Sequence, residues 1–172
     1  MQKNNDFFVT SKELYSQLQK AGLNFFTSVP CKLLSGVINL LEEDRKIIYT
    51  PVTREEEAVG ISAGAYLAGK KPAIIMQNSG LGNSINAIMS LLNFYEIPVI
   101  FIISHRGSSG EKISAQIPMG SITLELLKTL NIESFVFTDK AMLGRLEGIV
   151  DEAFFTKKSK AILLPFSFWG LV

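Results

Sequence analysis

The 172-residue chain contains one cysteine, Cys31, and one histidine, His105. A single thiol excludes an internal disulfide framework and fits a reducing compartment. Neither sign of charge dominates: 17 basic and 16 acidic side chains leave a formal charge of +1. That balance offers no electrostatic footprint for nucleic acid. The opening "MQKNNDFFVT" lacks the continuous apolar segment of a secretory signal. One long stretch is free of charge, "PAIIMQNSGLGNSINAIMSLLNFY" at 72–95. Its middle holds Gln77, Asn78, Ser79, Asn83 and Asn86, too polar for hydrocarbon. Repeats, low-complexity tracts and linkers are also missing. A soluble, cytoplasmic chain is expected.

What is present suits one domain, long enough to bury about two thirds of its unfolded surface. Hydrophobic residues make up 47% of the chain and mean hydropathy is +0.26, which favours buried subunit contacts. The pattern predicts helices over 10–21, 33–43, 55–69, 82–93, 119–130 and 140–156. Strands are predicted over 25–29, 46–52, 73–77, 97–104, 133–137 and 161–165. In "TSKE", Thr10 and Glu13 form a capping-box pattern, and Gly22 marks that helix's end. The strands are apolar runs rather than alternating patterns, each followed by a helix. That predicts a three-layer α/β/α domain with a six-stranded, mainly parallel sheet. Ligands of such sheets lie beyond the strands' carboxyl ends, which singles out 28–32, 50–55, 77–83 and 104–118. The last of these, "HRGSSGEKISAQIP" over 105–118, has no apolar period and is expected to be a long loop.

Two of these segments carry polar chemistry. In "QNSGLGNS" (77–84), Gly80 and Gly82 permit close backbone approach at a helix start. A ligand cradle and a plain glycine-requiring turn both fit. The third glycine of a dinucleotide fingerprint and a Walker lysine are missing, so neither a Rossmann cofactor nor ATP is indicated. In "TREEEAVGISAGAYLAGKK" (53–71), Thr53 is expected to cap the helix with Glu56 as its capping-box partner. Glu55 is less easily explained, because it sits at a strand-to-helix junction. Gly60, Gly64 and Ala68 fall four apart on one helical face. Each interior glycine costs roughly 1 kcal/mol against alanine, so close packing against the sheet or a neighbouring subunit is expected.

The stretch "REEEAVGISAGAYLAGKKPAIIMQNSGLGNSINAIMSLLNFYEIPVIFII", with "SVPCKLL" at 28–34, resembles the pyrimidine-binding (PYR) domain of thiamine-diphosphate-dependent decarboxylases. The resemblance spans essentially the whole chain. It is strongest to the decarboxylases of 2-oxo acids bearing a terminal phosphonate or sulfonate, and "SHRG" followed by "AQIPMG" leans toward the sulfonate. It implies thiamine diphosphate as cofactor and Glu55 as the carboxylate that activates its aminopyrimidine ring. An apolar pocket of small residues would raise that glutamate's pKa. Gln77, Asn78, Ser79, Gly80 and Asn83 are implied as cofactor-binding residues. Arg106 is the natural partner for a substrate anion. His105 is a hydrogen-bond donor or proton carrier, and Cys31 and Lys112 are weaker substrate-site candidates. A solvated loop start would equally place His105 and Arg106, and a small buried hydrophobe would account for Cys31. Gly107 and Gly110 would let the loop close over substrate.

The family's diphosphate-binding (PP) domain carries a "GDG" metal motif that occurs nowhere in this sequence. The resemblance therefore implies a lone PYR domain over 1–172, with no metal ligands of its own. A separate PP-domain beta subunit would hold Mg²⁺ and the diphosphate, in a homo- and hetero-oligomer that alone completes the enzyme. The implied reaction releases CO₂ from 3-sulfopyruvate to give sulfoacetaldehyde, as in coenzyme M biosynthesis. Phosphonopyruvate is the rival substrate, although its enzymes commonly carry both domains on one chain. A non-catalytic module that kept the fold is a third account, and the intact Glu55 and "NSGLGNS" argue against it.

Overall fold

A computed structural model describes residues 2–171. The chain runs α1 (Gln2–Lys20), β1 (Phe25–Ser28), α2 (Ser35–Glu43), β2 (Ile48–Pro51), α3 (Glu55–Leu67) and β3 (Pro72–Gln77). It continues through α4 (Gly80–Ala87), β4 (Ile100–Ser104), α5 (Ile117–Thr129), β5 (Glu133–Val136), α6 (Leu146–Thr156) and β6 (Lys160–Leu164). All six strands are parallel, in the order β2-β1-β3-β4-β6-β5. The expected three-layer α/β/α architecture is the one observed.

Strands buried on both faces explain the absence of alternation: β3, β4 and β6 consist of residues nearly all inaccessible to solvent. On one face, Leu14, Leu18, Val37, Leu41, Ile149 and Val150 of α1, α2 and α6 pack over Phe26, Ile75, Ile102 and Ile162. On the other, Ala58, Val59, Leu81 and Leu127 of α3, α4 and α5, with Ile88 just beyond α4, pack over Ile74, Phe101 and Leu163. The strand order reverses between β1 and β3, so the loops leaving their carboxyl ends run to opposite sides there, the place where such sheets hold their ligands.

Local readings differ in several places, among them the helix expected over 140–156, whose first six residues, Lys140–Arg145, form a 3-10 turn ahead of α6. Helix α1 starts at Gln2 rather than Thr10, because Thr10 and Ser11 donate their hydroxyls back to the carbonyls of Asp6 and Phe7 instead of capping. Gly22, at φ 84°, does end it. At α3 the capping carboxylate belongs to Glu57, not Glu56. Glu57 Oε2 accepts from the Thr53 hydroxyl (2.9 Å), the Thr53 amide (3.2 Å) and the Arg54 amide (3.3 Å). Helix α4 begins two residues early, at Gly80, and the chain continues beyond Ala87 into a π-helical segment over Ile88–Asn93. Finally, Gly60 and Gly64 do not meet the sheet. They are exposed, and a Cβ built on either finds no atom within 4 Å. Ala58, Val59, Ser62 and Ala63 face the strands in their place.

Candidate active site

Two turns at the carboxyl ends of the strands build the site. The turn after β3 is closed by amides donated from Leu81 to the Asn78 carbonyl and from Gly82 to the Ser79 carbonyl, both 3.1 Å. It carries Gly80 directly beneath Glu55, the first residue of α3. A Cβ on Gly80 would lie 2.4 Å from Glu55 Cγ and 2.8 Å from Cδ and Oε1, so only glycine lets the carboxylate rest there. Asn83, one turn into α4, donates Nδ2 to Glu55 Oε2 at 2.9 Å. Glu55 is half-buried, and its Oε1 has no partner among the described residues. The three consecutive glutamates thus divide the work: Glu55 lies over the turn, Glu56 pairs with Arg54, and Glu57 caps the helix. The surroundings of Glu55 are polar on the Asn83 side, not uniformly apolar as expected.

Asn78 is fully buried and spends its side chain internally. Nδ2 donates to the Arg106 carbonyl (2.9 Å) and to Thr123 Oγ1 (2.8 Å), while Oδ1 accepts from the Arg106 amide (3.2 Å). It ties the turn after β3 to the turn after β4 and to α5, and offers no free polar atom to a ligand. Gln77 donates Nε2 to Ser79 Oγ (2.8 Å) and Gln116 Oε1 (3.0 Å), reaching the short turn before α5. Ser79 and Asn83 are exposed.

The segment after β4 is a compact knot rather than an unstructured loop. The Glu111 carboxylate accepts from Arg106 Nε (2.7 Å) and Nη2 (2.8 Å), and from the amides of Gly107 (3.1 Å), Lys112 (3.0 Å) and Ile113 (2.9 Å). Arg106 beside it, with these amides, lowers the Glu111 pKa to about 2, and Glu111 in turn raises that of Arg106. Gly107 (φ 77°) and Gly120 meet backbone to backbone: a Cβ on Gly107 would sit 2.3 Å from the Gln116 carbonyl oxygen and 2.8 Å from Gly120 Cα. Gly107 therefore serves close packing rather than a hinge. Helix α5 starts at Ile117, earlier than expected, through a 3-10 turn over Ser114–Gln116.

His105 is buried, with Nε2 3.3 Å from the Gly120 carbonyl oxygen. Cys31 is buried with Sγ 3.1 Å from Ser104 Oγ, and also forms one wall of a cleft of about 410 Å³ between α2 and the end of β2. Lys112 is exposed on the knot. Glu55, Gly80 and Asn83 are thus in mutual contact. Arg106 joins them through Asn78, and its guanidinium is already paired. Sequence reasoning missed Glu111, although an arginine and a glutamate five residues apart across two glycines is the signal of a self-closed loop. It also missed Gln116 and Thr123, which sit in helix-like sequence with no local mark.

Among the described residues no three His, Cys, Asp or Glu side chains come together to hold a metal ion. No helix among them is long and apolar enough to cross a membrane.

Residues 9–132 match the family model for the N-terminal TPP-binding domain of thiamine pyrophosphate enzymes. The chain belongs to this family. The thiamine pyrophosphate family includes relatives close to it over most of their length. It is 56% identical over 125 residues to sulfopyruvate decarboxylase subunit alpha of Methanococcus maripaludis, covering 73% of this chain and 75% of that one. It is 44% identical over 161 residues to the protein of that name from Methanothermobacter thermautotrophicus, covering 93% and 98%. A solved 2-oxoglutarate:ferredoxin oxidoreductase from Magnetococcus marinus superposes with a TM-score of 0.66 at 14% identity, over 92% of this chain and 29% of that one. At that identity the likeness shows a shared fold alone.

Proposed function

We propose that this chain is the PYR subunit of a thiamine-diphosphate-dependent decarboxylase that converts 3-sulfopyruvate to sulfoacetaldehyde and CO₂, the step used in coenzyme M biosynthesis. The observation that carries the reading is Glu55 lying over Gly80. One carboxylate oxygen is held by Asn83, and the other, resting against Gly80, has no partner among the described residues. That geometry fits the edge of a pyrimidine ring. The oriented free oxygen accepts a ring N–H or returns a proton, and exposed Gly82 leaves space beside it, with no atom within 4 Å of a built Cβ. Thiamine diphosphate, when bound, supplies the electron sink for decarboxylation. The chain's own residues orient it and exchange a proton at Glu55.

Ser79 and the backbone of the Gly80 turn are assigned to the same cofactor site, with Gln77 supporting Ser79 and Asn78 bracing the turn. Arg106 is assigned to the anionic end of the substrate. Buried His105 is assigned to the support of α5 through the Gly120 carbonyl, beside Cys31 and Ser104. A PP-domain beta subunit is assigned Mg²⁺ and the diphosphate. Its seat is the outward face of α3, where Gly60 and Gly64 stand open between exposed Ile61 and Leu67.

The test is co-expression with the PP-domain subunit, followed by assay of CO₂ release from 3-sulfopyruvate with thiamine diphosphate and Mg²⁺. Glu55→Gln is expected to lower kcat by about a hundredfold or more, the range of general acid–base contributions. Wild-type turnover in that variant would refute the assignment.

A further inference from the structure

The Arg106–Glu111 pair has a geometry that bears on which anion the site accepts. Glu111 takes the Nε–Nη2 edge of the guanidinium, and the plane lies over Phe166 with 5.5 Å between Cζ and the ring centroid. The Arg106 and Glu111 side chains are only 13% and 3% exposed, so the pair is fixed rather than a solvated surface contact. Nη1 has no partner among the described residues and is not sealed from solvent. It is the edge left for a ligand. The backbone of Arg106 is pinned on both sides by Asn78, in the same turn that carries Gly80 beneath Glu55.

An anion that docks on Nη1 therefore meets an arginine whose charge is already matched by a carboxylate on its far edge. Such a site offers hydrogen bonds with little net positive charge. A sulfonate needs no more, since it carries one negative charge. A phosphonate resembles a phosphate monoester, which carries about −1.5 to −2 at neutral pH. The additional charge is repelled by Glu111 across the width of one guanidinium. Lys112, next along the chain, is exposed, so solvent screens its charge.

We propose that Glu111 is a specificity-determining residue, which positions Arg106 and discriminates against doubly charged substrate ends. It thereby selects 3-sulfopyruvate over phosphonopyruvate. The inference rests on the decarboxylase reading and on Arg106 as the anion site. At separations of this size and an effective dielectric near that of a protein surface, the discrimination is roughly tenfold after screening.

The experiment uses the complex with its PP-domain subunit and compares kcat/KM for the two acids in the wild type, Glu111→Gln and Glu111→Asp. Glu111→Gln removes the charge and keeps a single acceptor oxygen at the knot. Its amide nitrogen faces groups that donate to the carboxylate in the wild type, so the variant's Tm is measured alongside. The variant is expected to shift the ratio of the two kcat/KM values about tenfold toward phosphonopyruvate, mainly through KM. Glu111→Asp is expected to retain the wild-type ratio. An unchanged ratio, or equal losses for both acids, would show a merely structural carboxylate and overturn the proposal. A second measurement needs no turnover: titration of the wild-type and Glu111→Gln complexes with sulfoacetate and phosphonoacetate at pH 8. Sulfoacetate is expected to bind the wild type about tenfold more tightly and to lose that preference in Glu111→Gln; equal or reversed wild-type affinities, or a preference kept in the variant, overturn the proposal. If the wild-type complex decarboxylates neither acid, the decarboxylase reading fails, while the titration still decides the role of Glu111.

Discussion

Gly80 is the residue on which the site's geometry turns, and its replacement separates function from stability. The atoms that a Cβ would strike belong to the flexible Glu55 side chain, not to backbone. Gly80→Ala is therefore expected to push the carboxylate away from Asn83 while the fold survives. We expect kcat to fall by about tenfold or more, with a Tm within a few degrees of wild type. A Tm collapse, or full activity, would contradict this. Gly107→Ala is the opposite case, because its Cβ would meet the Gln116 carbonyl and Gly120 Cα and its φ is 77°. A backbone contact cannot rotate away, so a loss of about 2 kcal/mol or more is expected, seen as a Tm drop of roughly 4–8 °C. The glycines of "QNSGLGNS" were legible as turn residues, and Glu55 as an acid at a strand-to-helix junction. What glycine 80 makes room for was not legible, since its neighbour comes from another element. Arg106 shows the same limit. Its charge and loop position suggested an anion partner, but the fixed Glu111 opposite it appears only once the loop is closed.

At the scale of elements, α3 asks why a helix would carry two glycines on a face that touches nothing in its own chain. Glycine lowers helix stability by roughly 1 kcal/mol relative to alanine, and no contact within the fold offsets that at Gly60 or Gly64. Replacing both with alanine is expected to raise the chain's Tm by about 3–6 °C, from about 1–2 kcal/mol of propensity. Gly64→Leu is expected to leave the chain folded yet prevent stable association with the proposed PP-domain subunit, read by co-purification and analytical ultracentrifugation. An intact complex carrying that leucine would show that the partner sits elsewhere. The same helix illustrates how end signals mislead. Thr53 and Glu56 make a good capping pattern, yet the chain turns one residue later and Glu57 takes the role. At α1 the "TSKE" pattern lost to residues upstream that propagate the helix, turning Thr10 and Ser11 into interior residues. The strands were legible because apolar runs bounded by glycine, proline or polar turns admit few other readings in a parallel sheet. The knot at 105–113 was not, because it is held by one side chain rather than by any periodicity.

At the scale of the whole molecule, the paired charges set a stability profile with pH whose two limbs have different owners. Glu111 is held low by Arg106, Asp44 by the Tyr15 hydroxyl and Glu57 by Thr53. A carboxylate whose folded pKa lies below its unfolded value stabilises the fold above that unfolded value, and the contribution disappears as protons are taken up. For Glu111 the window runs from about 4.5 down to about 2. On the alkaline side burial raises the Tyr15 pKa, and Lys160 is held raised by Glu133 and Glu152 against the opposing effect of its burial. Their contribution is complete below their unfolded values near 10 and is lost above them. Thermal unfolding of the chain should therefore give a Tm that is level between about pH 5 and 9, falling on either side. Glu111→Gln tests who owns the acid limb. It should lower Tm on the plateau, where the ion pair and its amides contribute on the order of 1–2 kcal/mol after screening. Its curve should then approach the wild type below pH 3, where wild-type Glu111 is losing its charge. Two parallel curves, offset equally at pH 7 and pH 2.5, would mean that Glu111 acts through packing alone and that its ionisation contributes nothing to the fold.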